Sequence, residues 1–137
     1  MRYITLAAFL ASSTIHAQDI TGRWVTVDDN TGKQRSVVEI TVKNGKASGR
    51  IVEIFDKSKA DKTCEACTDD RKAKKILGMD IIRDMVQDDD TWEDGTIMDP
   101  DNGKIYDCKL WVEDGELQVR GYVAFFFRTQ TWVREVK

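Results

Sequence analysis

The chain has 137 residues, 33% of them charged and 41% hydrophobic, with 21 basic against 24 acidic residues and a formal net charge of −3. A mildly acidic chain with both signs interspersed argues against nucleic acid or an anionic membrane as its main partner. The length suits one domain with a sizeable core, and no apolar stretch is long enough to make a membrane-spanning helix.

Residues 1–17, MRYITLAAFLASSTIHA, place Arg2 before an apolar run from Ile4 to Ala11, followed by small polar residues and Ala17. That order is expected of a secretory signal peptide. The mature chain is then residues 18–137, one β-barrel domain in the periplasm or outside the cell, and no Cys stands near the cleavage bond to take a lipid. The only histidine, His16, leaves with the signal. Without an imidazole, Ser-His-Asp triads, Cys-His dyads and His-rich zinc sites are excluded.

Strands are expected from Arg23 to Asp28 and then through SVVEITVKNGKASGRIVEIF. In the latter Val38, Ile40 and Val42 alternate with Glu39, Thr41 and Lys43, and Asn44-Gly45 supplies the two positive-φ residues of a hairpin turn. Residues 56–75 are polar and charged, with no apolar period, and read as a surface excursion with room for one helical turn. Further strands are expected from Leu77 to Met85 and from Trp92 to Asp99. The stretch KIYDCKLWVEDGELQVRGYV repeats the hairpin scheme around Asp114-Gly115, with Tyr106, Cys108, Leu110 and Val112 on one face. A last strand runs from Arg128 to Glu135. About eight short strands with short connections imply an all-β, antiparallel, up-and-down barrel.

On that pattern, Gly-x-Trp on the first strand with an Arg near the end of the last resembles the lipocalin-like barrels and their avidin and fatty-acid-binding relatives. The resemblance implies that Gly22, Trp24 and Arg134 form a structural plug, the Trp closing one end of the barrel and the Arg lying across it. The ordered blocks GRW, SGRIVEI, ILGMDII, WEDGTIMDPDNGKIYDCKL, LQVRGYV and RTQTWVR resemble a bacterial exported family known as domain of unknown function 2147. That resemblance implies an exported barrel-like domain and brings no activity with it. The Cys-x-x-Cys in residues 56–75 departs from the Pro-rich linker of many relatives.

Cys64 and Cys67 sit in the polar excursion of a chain expected to meet an oxidising compartment, so a local loop-closing disulfide is expected. A redox role would want a cationic setting to lower a thiol pKa, and Glu65, Asp69 and Asp70 oppose that. Cys108, on the apolar face of its strand, reads as a buried small hydrophobe. The acids in QDDDTWEDG and MDPDNG fail the spacing of a calcium loop in either frame and read as a solvated rim. No metal site, cofactor or catalytic constellation is expected.

The barrel interior is the remaining candidate site. Leu77, Met79 and Ile81 share a face with Arg83 if the strand alternates throughout, which would bring a charge inward and demand a protein or ligand carboxylate as partner. Trp92, Tyr106 and Tyr122 are candidate lining aromatics with polar tips, alongside Arg83. Phe125, Phe126 and Phe127 cannot all point inward from one strand, so an exposed apolar spot is expected, suited to a partner or to ligand entry. The leading expectation is non-enzymatic binding of a small apolar or amphipathic molecule. The alternative is a structural or interaction module with a filled barrel, and a third reading is a redox factor using Cys64 and Cys67.

Overall fold

The computed structural model describes residues 19–136; the expected signal segment, residues 1–17, lies outside them. Eight strands follow in order: β1 (Gly22–Val27), β2 (Gln34–Lys43), β3 (Lys46–Ile54), β4 (Asp80–Asp88), β5 (Thr91–Met98), β6 (Ile105–Glu113), β7 (Glu116–Val123) and β8 (Phe126–Arg134). Each pairs antiparallel with the next, and β8 returns to β1 through Trp24 opposite Arg134 and Val25 opposite Val133. The result is the expected up-and-down barrel, closed so that no edge is left to template another chain.

The tight turns at Asn44-Gly45 and Asp114-Gly115 have φ of 53° and 76°, and of 53° and 77°, the left-handed pair that follows the twist of the strands. These two turns and the β4–β5 turn stand at one end of the barrel with the start of β1. The β1–β2, β3–β4, β5–β6 and β7–β8 connections stand at the other.

Large side chains fill the first of these ends. Trp24, Val38, Ile40, Met85, Leu110 and Leu117 are all fully buried there. The Trp24 indole N–H donates to the Ile20 carbonyl at 2.8 Å. The Arg134 guanidinium lies 3.9 Å over its ring and donates to the carbonyls of Thr21 at 2.8 Å and Asp19 at 3.0 Å. Gly22 makes the room: a Cβ there would sit 2.8 Å from the Arg134 guanidinium.

One strand departs from its expected course. Leu77 is 38% exposed and precedes Gly78, whose φ of +91° turns the chain, so β4 starts only at Asp80. The register then slips: Arg50 faces Asp80, whereas Gly49 faces Ile82. The extra residue puts Ile81 and Ile82 both inside, at 6% and 0% exposure, and turns Arg83 outward before a second slip at Asp84, φ 60°, brings Met85 back inside. Arg83 consequently points outward rather than among the apolar groups, and its guanidinium grips Asp70 at 2.8 and 2.9 Å.

The excursion between β3 and β4 holds one 3-10 turn, Lys57–Lys59, and is less solvent-bound than its composition suggests. Cys64 and Cys67 form the expected disulfide, yet both are buried, at 1% and 2% exposure. The bridge packs on the β5–β6 turn, with Cys64 Sγ 3.7 Å from the Pro100 carbonyl oxygen and Cys67 Sγ 3.7 Å from Met98 Sδ. Arg71 is buried too; it meets Asp69 through a 2.7 Å contact and donates to the Asp80 carbonyl at 2.9 Å. The hydrogen bonds that Asp69 accepts from the Arg71 guanidinium and backbone N–H hold its carboxyl down at about 2, against an ordinary value of 3.8. Because the folded value is the lower one, the stabilisation is complete above pH 3.8 and is lost as pH falls toward 2. The variant Asp69→Asn should therefore show a shallower loss of stability across that window in an acid titration followed by circular dichroism.

Candidate functional site

At the loop-bearing end the barrel opens into a cup of about 980 Å³, near the upper end of the range for small-molecule sites. Its wall is apolar: Ile51 from β3, Ile81 from β4, Ile97 and Met98 from β5, Val119 from β7. Trp132 of β8 is buried toward its floor, the indole N–H donating to Gln130 Oε1 at 3.0 Å. Gly121 of β7 keeps the space open. A Cβ there would stand in ordinary contact, 3.5 Å from Tyr106 Cβ, so no neighbouring side chain has moved in to fill the place of the missing one.

Polar groups gather toward the mouth. The hydroxyls of Thr26 and Ser36 are 2.7 Å apart, and Arg35 bridges Asp28 at 3.7 Å and Asp101 at 2.9 Å, tying the β1–β2 turn to the β5–β6 turn. The hydrogen bond to Asp101 holds the Arg35 proton more firmly than usual. Arg128 pairs with Asp29 at 2.7 Å and joins β8 to the same rim. The cup thus grades from an apolar floor to a charged lip.

Of the four candidate ligand residues the structure brings one to the cup. Tyr106 lines it, half-buried. Trp92 is buried lower in the barrel, opposite Leu110 and Gln87, and does not reach the cup. Tyr122 stands on the outer wall, its ring 6.2 Å from that of Phe127 and beside Glu93 and Lys109. Its position follows from hairpin register: Tyr122 pairs with Asp107, so it shares a face with that residue and opposes Tyr106. Arg83 is outside, as described. Trp132, Val119 and Arg35 also belong to the cup; the alternation along β7 and β8 carries the signal for the first two, and no local pattern marks Arg35.

Among the described residues no three His, Cys, Asp or Glu side chains converge as metal ligands. Cys108, on the inner side of β6, is buried, which pushes its thiol up to about 12. A disulfide reagent at neutral pH should label no cysteine in the native protein and one after denaturation.

A family model described as "Uncharacterized protein conserved in bacteria (DUF2147)" matches residues 22–134, the whole span from β1 to β8. No curated protein matches the sequence. Among solved structures the barrel is similar to that reported as "Protein HP1028 from the human pathogen Helicobacter pylori belongs to the lipocalin family". The TM-score is 0.74 and the identity 20%, over 87% of this chain and 84% of that one. At that identity the likeness speaks for the lipocalin-like fold.

Proposed function

We propose that this chain, which belongs to the bacterial DUF2147 family, binds a small apolar or amphipathic molecule in its cup and carries out no chemistry on it. The observation that carries the reading is the cup itself, kept open by Gly121 where a filled barrel would place a side chain. The gradient from the Trp132 floor to the Arg35 and Arg128 lip suits an amphipathic molecule lying head outward. The order of residues 1–17 supports a periplasmic or secreted setting for this work, and the lack of histidine after residue 16 supports binding over catalysis.

The test is native mass spectrometry of protein purified from the envelope of its own host, compared with the same sample denatured. A discrete extra mass lost on denaturation is the expected result, and it gives the ligand's class directly. A bare polypeptide in both spectra would overturn the reading in favour of an interaction module.

A further inference from the structure

The β7–β8 turn carries the largest exposed apolar group of the described residues: Phe125 is 99% exposed, Phe126 79%, Phe127 61% and Val123 52%. It is a convex hairpin tip, with Ala124 at φ 52°, and Val123, Phe126 and Phe127 also line the mouth of the cup. A stable protein interface needs about 800 Å² per partner around an apolar centre. A narrow tip flanked by Arg128 and its partner Asp29 offers no such plate, but it is suited to entering a soft apolar phase.

The charges of the rim point the same way. Five aspartates and five basic residues line the mouth, so its net charge selects nothing; what differs is reach, the aspartates being held by hydrogen bonds while three exposed lysines are left free to extend. Asp28 and Asp101 hold Arg35, and Asp29 holds Arg128. Asp56 accepts from Ser58, although it stays within electrostatic reach of Lys59, and Asp99 accepts from the backbone N–H of Asp101. Lys33, Lys59 and Lys62 form no ion pair with the described residues. The surplus acid lies at the opposite end of the barrel, where Asp88, Asp89, Asp90, Asp94, Glu113, Asp114 and Glu116 are all exposed. The low net charge of the chain conceals this polarity, which would turn the mouth toward a negative surface.

We infer that the mouth docks on an anionic lipid bilayer, the Phe125–Phe127 tip entering the lipid and Lys33, Lys59 and Lys62 meeting the headgroups. The cup then opens onto the membrane, a placement that rests on the proposed binding function for its purpose but not for its evidence.

Sedimentation with vesicles tests it. Wild-type protein should bind vesicles of phosphatidylcholine mixed with phosphatidylglycerol, more weakly as salt is raised, and bind phosphatidylcholine alone far less. Phe125→Ser, outside the cup, should weaken binding on the order of tenfold, and Lys59→Glu with Lys62→Glu should erase the preference for the anionic lipid. Absence of vesicle binding, equal binding to both lipids, or unchanged binding by Phe125→Ser would overturn the inference. Uptake of the neutral fluorophore N-phenylnaphthylamine, measured without vesicles, separates the two ideas: its failure in wild type counts against the cup, while the vesicle result stands by itself. Phe125→Ser should take up the fluorophore as wild type does, which also shows that the variant is folded.

Discussion

Trp24→Ala is expected to cost the fold about 3–5 kcal/mol in denaturant unfolding, among the largest losses that a single truncation can bring here. The ring is fully buried in the closed end, and three separate things depend on it. Its N–H satisfies the Ile20 carbonyl, its face receives Arg134, and its edge packs among residues of strands that are distant in sequence. Removal leaves a cavity at the point where β8 must meet β1 to close the barrel. Arg134→Met should cost less, roughly 1–2 kcal/mol, since it removes a partly solvated cation–π contact and two hydrogen bonds while leaving the ring in place. A loss below about 1 kcal/mol for Trp24→Ala would show that the ring does not close the barrel.

Gly121→Leu should abolish uptake of an apolar fluorophore, a loss of at least about tenfold in affinity, and leave the protein folded. The backbone at Gly121 lies outside the left-handed region, and the new Cβ meets Tyr106 and Ile97 at 3.5 to 3.8 Å, so the first atom fits. The remaining atoms extend into the cup and occupy the volume a ligand would need. Gly49 offers a contrast: a Cβ there already stands 3.1 Å from Ile82 and Val38, inside packed core, so the same exchange should unfold rather than block. Unfolding temperature and fluorophore titration on the Gly121 variant distinguish blocking from damage. Retained uptake by a folded Gly121→Leu protein would place the binding site elsewhere.

The two glycines show how far the chain could be read in advance. Both are small residues at inward positions of the barrel, and nothing local in the sequence distinguishes them. Only the neighbours do: Gly49 lies against Ile82, which the register slip in β4 pushes inward, while Gly121 faces the widening mouth. The same slip moved Arg83 from the expected interior to the outer wall. Tyr122 is a different case, because the Asp114-Gly115 turn fixes the hairpin register and so pairs it with Asp107, away from Tyr106. The buried disulfide is a third: Cys64 and Cys67 sit in a polar segment, and their burial comes from the β5–β6 turn more than thirty residues further on.

By itself the sequence determined the antiparallel strand pattern, the Asn44-Gly45 and Asp114-Gly115 turns and the disulfide pair. Side-chain alternation, turn dihedrals and short-range cysteine spacing are set within a few residues. The tertiary structure alone decided how deep along the barrel each inward side chain sits and where a bulge reverses the alternation. Those depend on pairing between strands far apart in the chain, and it is that pairing which fills one end with Trp24 and leaves the other open as a cup.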